Sequence, residues 1–143
     1  TMPIPHPYGY AGSLGQLSPA ILERSSILYI WVTPEESRRK NAARTDPNDP
    51  GSILHHGVPL AVMYGDYGCD DMEYLLEKSA KADTVQVDKD GTSYYLPLGR
   101  FDNRVDKTSF IREDEDKWSE ADKKALQDGM REAFDRLMHG LEG

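Results

Sequence analysis

Arginine is the side chain whose spacing first suggests chemistry in this sequence. Arg38, Arg39, Lys40 and Arg44 crowd the end of one stretch, ILYIWVTPEESRRKNAAR, from Ile27 to Arg44. A guanidinium is always charged and grips phosphate or carboxylate in a forked geometry. On a helix, neighbours such as 38 and 39 point about 100° apart, so they do not share one anion. Either is expected to act with the loop that follows, with Arg44 at the helix end. The competing reading is structural. Glu35 and Glu36 stand four residues before Arg39 and Lys40, a solvated face with acids first and bases last.

Two further clusters carry chemistry-bearing types. Arg100, Asp102, Asn103, Arg104, Asp106, Lys107 and Arg112 mix both charge signs. They read as a self-satisfied ion-pair network, or as a polar loop in which Arg100 or Arg104 meets an acidic ligand. His55, His56, Asp66, Cys69, Asp70 and Asp71 are all metal-ligating types. Their spacing is not that of a zinc site, because adjacent histidines diverge and no second Cys or suitably spaced His follows. No metal site is assigned, and a metal-dependent hydrolase built on His55, His56 and Asp70 ranks third among the readings. A carboxylate beside a bound phosphate would suit magnesium better. Triads are defined by geometry, so spacing names no catalytic residue. Cys69 reads as an inert thiol with nothing basic beside it.

The elements that must position these groups follow from pattern. Ile27–Val32 is a short apolar run rich in β-branched and aromatic residues, which predicts a strand buried on both faces. Thr33-Pro34-Glu35-Glu36 predicts a helix start, with Thr33 as N-cap, running to about Arg44. Ser18-Pro19 opens a short helix to about Arg24. Residues 45–51 are turn chemistry, Ser52–His56 a short helix or turn, 60–64 an apolar patch and 65–71 another turn. Asp70 is expected to cap a helix over about 71–79. Thr84–Asp88 and Thr92–Leu96 flank Asp90-Gly91 and predict a hairpin, with Val85 and Val87 on one side and Pro97 ending the return strand or putting it at an edge. Residues 99–116 read as a long polar loop pinned by Phe101, Val105, Phe110 and Ile111. Ser119 caps a final amphipathic helix, with Trp118 as a staple. Its stripe of Leu126, Met130, Phe134, Leu137, Met138 and Leu141 should dock on the sheet, and Gly140 should end it. The fold class is therefore α/β: a small central sheet flanked by helices. Residues 1–17, rich in Pro and Gly, read as a flexible leader, and 18–143 as a single domain.

The totals bound the function. The chain has 143 residues, a net charge of −8 and 29% charged residues. That balance argues against nonspecific nucleic-acid binding, which needs positive surface. A single cysteine excludes an intrachain disulfide and suits a reducing, cytoplasmic setting. No apolar run approaches a membrane span, and the N-terminus lacks the apolar core of a signal peptide.

The string LSPAILERSSILYIWVTPEESRRKNAARTDP resembles the C-terminal half of P-loop nucleotide kinases. With GSILHHGVP, DYGCDDM and LPLGRFDNRVDKTSFIR it looks like an uncharacterised bacterial group of that type. The resemblance implies a partial P-loop kinase-like layered domain, in which Arg38, Arg39 and Arg44 match the lid-arginine region by position and contact phosphate. Arg100 and Arg104 are secondary phosphate-binding candidates. It also implies a nucleotide or phosphorylated small molecule as ligand, with magnesium. The family's phosphate-binding loop, GxxxxGK[ST], is absent from this sequence, as is the strand whose acidic residue orients magnesium. Either those parts belong to a longer parent chain or the protein has none, and the residues present are expected to be catalytically incomplete. The alternative is a noncatalytic protein-interaction or homodimerisation domain, using the acidic surface and the amphipathic last helix.

Overall fold

The computed structural model describes residues 2–45, 56–65 and 70–143. Among these, six α-helices accompany a three-stranded mixed sheet. The helices are α1 (Gly9–Gly15), α2 (Pro19–Leu22), α3 (Pro34–Arg44), α4 (Leu60–Gly65), α5 (Met72–Lys78) and α6 (Glu120–Glu142). The strands are β1 (Ile27–Trp31), β2 (Thr84–Lys89) and β3 (Thr92–Asp102). The class is α/β, as the patterning predicts. No helix among the described residues is long and apolar enough to cross a membrane.

Strand order is β1-β3-β2. The first half of β3 pairs antiparallel with β2, from Thr92 opposite Lys89 to Pro97 opposite Thr84. The second half pairs parallel with β1, from Leu98 opposite Ile27 to Asp102 opposite Trp31. Pro97 was expected to stop the strand or mark an edge. Instead it lies inside the central strand, at the point where pairing passes from one neighbour to the other. A missing N–H is tolerated there because the ladder changes sides. Asp90 (φ 52°) and Gly91 (φ 80°) make the tight turn of the hairpin, as the Asp-Gly signal requires.

β1 was expected to be buried on both faces. It is an edge strand, with Leu28 39% and Ile30 47% exposed. Its apolar run reflects two half-covered faces rather than a central position. Ile27 and Tyr29 turn to the core, where they join Leu22, Met72, Val85, Val87, Leu96 and Leu98. Helices α1 and α5 pack against β2 on that side.

The opposite face of β3 carries α6. Small residues set this contact. A Cβ on Gly99 would lie 2.3 Å from the Ala133 carbonyl oxygen, and one on Gly129 would lie 2.7 Å from the Phe101 ring. The helix therefore meets the strand at backbone distance along Gly129, Ala133 and Gly140. Leu126, Met130 and Leu137 are partly covered, but Phe134, Met138 and Leu141 stay 49–57% exposed. Only part of the predicted stripe docks, because the sheet beneath is three strands wide and α6 seats on its central strand. The helix also runs past Gly140 to Glu142.

Local signals elsewhere are met. The Thr33 hydroxyl accepts from the Glu36 amide, and the Ser119 hydroxyl accepts from the Asp122 amide. The polar stretch after β3 begins at Asn103 rather than at Gly99, and it contains two 3-10 turns, Ser109–Arg112 and Glu115–Lys117. Phe101 is a buried strand residue, whereas Val105 is 78% exposed and anchors nothing. Phe110 packs edge-on against Trp118 at 5.5 Å. The segment 60–64 is helical. Predictions on 46–55 and 66–69 lie outside the described residues.

Candidate functional site

The N-terminal segment contributes more than a leader. Gly9–Gly15 form a helix, despite the glycines, because its first turn is capped from far along the chain. The Tyr10 and Ala11 amides donate to the two carboxylate oxygens of Asp71, at 2.7 and 3.1 Å. Asp71 is 1% exposed. Gly9 (φ +76°) sits directly under this carboxylate, where a Cβ would approach Asp71 Oδ2 to 2.7 Å. A negative charge at a helix N-terminus is favourable. Asp71 stands at the N-cap of its own α5, yet its side chain makes no cap bond there. Asp70 takes that role instead, accepting from the Met72 amide at 2.9 Å.

With α1 in place, a groove of about 870 Å³ opens between the start of α1, β1, the start of α3 and the start of α5. Tyr8, Tyr10, Tyr29, Trp31, Asp70 and Glu73 give it its character. Tyr10 and Tyr29 meet edge-to-face at 6.2 Å. The Tyr29 hydroxyl donates to Asp70 at 2.7 Å. Burial, that hydrogen bond and the charge of Asp70 push the Tyr29 phenol well above its ordinary range. Burial followed by the charges of Asp70 and Asp71 raises Tyr10 as well. Both phenols therefore stay neutral in a negative field. The partners of Asp70 are a neutral hydroxyl and an amide, and no cation pairs with it among the described residues.

Ile30 and Val32 also line the groove. The Trp31 carbonyl accepts from the Asn103 amide, so it points toward β3. Neighbouring peptide groups alternate along a strand, which aims the N–H and C=O of Ile30 outward. Among the described residues, no strand pairs with this outer edge.

The five arginines singled out from the sequence do not form one cradle. Arg38 reaches Glu35 at 3.3 Å and lies over the Tyr64 ring. Arg39 clasps Glu36 with two bonds and also meets Asp106 at 2.8 Å. Arg44 donates to the side-chain oxygen of Asn41. Arg100 donates to Glu73 at 2.6 Å, and Arg104 grips Asp102 with two bonds. Both of these guanidiniums stack on Trp31, at 4.4 and 3.6 Å from its ring. Asp106 is a hub that ties α3 to the polar loop. It accepts from Lys40 at 2.9 Å and from the Thr108 and Ser109 amides. Burial works against its charge, but bonds from Ser109, Lys40 and Thr108 prevail and hold its carboxyl well below the usual range. The hydrogen bond from Arg39 likewise lowers Glu36. The acids-first helix face is thus formed, whereas the 100–112 cluster is not self-satisfied: Arg104 pairs with Asp102 inside it, but Arg100 and Asp106 pair with Glu73 and with Arg39 and Lys40 outside it.

Among the described residues, no group of three His, Cys, Asp or Glu side chains could hold a metal ion. His55, Asp66 and Cys69 lie outside the described residues. Sequence reasoning missed Tyr8, Tyr10 and Tyr29. Tyr8 and Tyr10 lay in the segment read as leader and Tyr29 in the predicted strand, with no local signal joining them. Compared with protein-family models, curated proteins and solved structures, the chain matches none of them.

Proposed function

We propose that this chain is a noncatalytic interaction domain that takes up an extended peptide along the outer edge of β1, with a cationic peptide side chain at Asp70. The observation that carries this reading is the outward-facing backbone of Ile30 on a groove walled by Tyr8, Tyr10 and Asp70. An exposed strand edge adds a peptide strand through main-chain hydrogen bonds, and side pockets supply selectivity. Aromatic faces and a carboxylate without a cation partner among the described residues favour a positive charge.

The rival occupant is the nucleotide or phosphorylated small molecule implied by the P-loop kinase-like resemblance. The groove has the volume for it. Against it, Arg38, Arg39, Arg100 and Arg104 already face carboxylates. An incoming phosphate would have to displace them.

Amide shifts of isotopically labelled protein test the proposal. The probes are the peptide Ac-KVTVKV-amide, its glutamate counterpart Ac-EVTVEV-amide, and ATP with magnesium. The lysine peptide should shift the 28–32 amides at high-micromolar concentration. Ile30→Pro removes the outward N–H at an edge position that tolerates proline, and should abolish the response. Asp70→Asn should weaken lysine-peptide binding by about 5-fold, near 1 kcal/mol. Silence at 28–32 up to millimolar lysine peptide would sink the proposal. Shifts at Arg38, Arg39 and Arg100–Arg104 with ATP would favour the rival.

A further inference from the structure

A second surface shares only Ile30 with the groove: the backbone of Ile30 borders the groove, while its side chain lies on the α6 face of the sheet. The residues of α6 that touch the sheet include Gly129, Ala133, Leu137 and Gly140. At 100° per residue, Met130, Phe134, Leu141 and Met138 fall together on one flank of that contact line. His139 lies on the other flank and bonds Asp83, at the start of β2. The apolar flank therefore faces the β1 side. There Leu28 and Ile30 emerge on the same sheet face as Gly99 and Phe101. Phe134, Met138, Leu141, Leu28 and Ile30 are 49%, 51%, 57%, 39% and 47% exposed. Together they expose on the order of 400–500 Å² of apolar surface, within the range of the largest, often functional, patch of a monomeric protein.

Charge indicates what covers it. Arg131 and Glu142 border the stripe on its solvent side; Arg131 acts on the Asp128 carboxylate one turn before it, which Lys124 already pairs. When two copies of α6 lie antiparallel about a twofold axis near residue 136, Phe134 meets the second copy's Met138, and Met130 meets its Leu141. In an antiparallel pair the same flank of each helix faces its counterpart, so Arg131 stands opposite the other copy's Glu142, twice by symmetry. A stripe that is complementary to itself in both apolar groups and charge is the signature of an isologous contact. The apolar patch alone is about half of the roughly 800 Å² per partner of a standard interface, so the polar rim would have to supply the rest. We infer that this flank of α6, with Leu28 and Ile30, joins two copies of the chain in an antiparallel, twofold-symmetric dimer.

Sedimentation equilibrium of the 143-residue chain across concentration tests the inference. A monomer–dimer equilibrium is expected at micromolar concentrations. Phe134→Asp changes a half-exposed residue and should leave a monomer with unchanged circular dichroism. Arg131→Glu should raise the dissociation constant about tenfold by setting like charges together. The double variant Arg131→Glu with Glu142→Arg should return it to within about threefold of the parent. The charge-reversal pair decides the matter even if Phe134→Asp perturbs folding. A chain that stays monomeric to about 1 mM, a dimer indifferent to these changes, or a charge reversal that does not restore association would each overturn the inference.

Discussion

Replacing Asp71 tests the contact on which the groove depends. Its carboxylate is 1% exposed and joins α5 to the first turn of α1 across about sixty residues, through bonds of 2.7 and 3.1 Å. Losing an N-cap costs about 1–2 kcal/mol, and hydrogen bonds to a charged acceptor reach about 1.5–3 kcal/mol each. Relief from desolvating the carboxylate offsets part of this loss. The net expectation for Asp71→Ala is about 2 kcal/mol. Asp71→Asn keeps the shape but turns an NH₂ toward one of the two amides, so about 1–1.5 kcal/mol is expected. Urea titration followed by circular dichroism measures the total. Native-state hydrogen exchange locates it: the Ala11 amide should exchange about 30-fold faster in Asp71→Ala, the rate equivalent of 2 kcal/mol. The 84–98 amides should change only by the global loss. Peptide binding should fall with α1, because Tyr8 and Tyr10 form one wall of the groove. A stability change under 0.5 kcal/mol with Ala11 exchange unaltered would refute the reasoning, since neither cap nor clasp would then matter.

Two further perturbations probe the scaffold. Gly99→Ala places a methyl 2.3 Å from the Ala133 carbonyl oxygen. It should push α6 from the sheet and cost about 2–3 kcal/mol in a thermal melt; an unchanged melting temperature would mean that α6 does not seat as described. Acid should act through Asp106 and Asp102. Bonds from Arg104 bring Asp102 to about 2 against the opposing effect of burial, and Asp106 is lowered as described above. A lowered carboxyl stays charged in the folded chain where the unfolded chain binds a proton. Its stabilisation is therefore complete above about pH 4 and is lost as pH falls through the folded value, toward about pH 2 for Asp102. Asp102 is exposed enough to contribute no more than about 1 kcal/mol. Melting temperature should fall from pH 4 to pH 2, less steeply in Asp106→Asn, and a rise over that interval would contradict the assignment.

The ion-pair faces show why the site was only partly legible. Glu35, Glu36, Arg39 and Lys40 were readable as a solvated helix face because their partners sit one turn apart. The second partner of Arg39 and Lys40 is Asp106, more than sixty residues away. Nothing in the local pattern shows which of the loop's acids would reach α3. Arg39 and Arg100 are consequently ion-paired across the chain, to Asp106 and Glu73, and Arg38 and Arg104 to acids two or three residues away, where the resemblance implied an open phosphate cradle.

What the sequence determines by itself are the features whose causes lie within a turn or two of chain. The Thr33 and Ser119 caps, the Asp-Gly hairpin, the α3 boundaries and the α/β class all follow from residues three or four apart or alternating along a strand. Tertiary structure alone decides the rest. It places β1 at an edge, carries β3 through Pro97, seats α6 on glycine and alanine so that Phe134 and Met138 stay outside, and stabilises α1 with a distant carboxylate. Each of these depends on which segments meet across the sheet. An apolar run has the same composition whether one face or both are covered, and an aspartate at a helix start carries no local mark of capping a different helix.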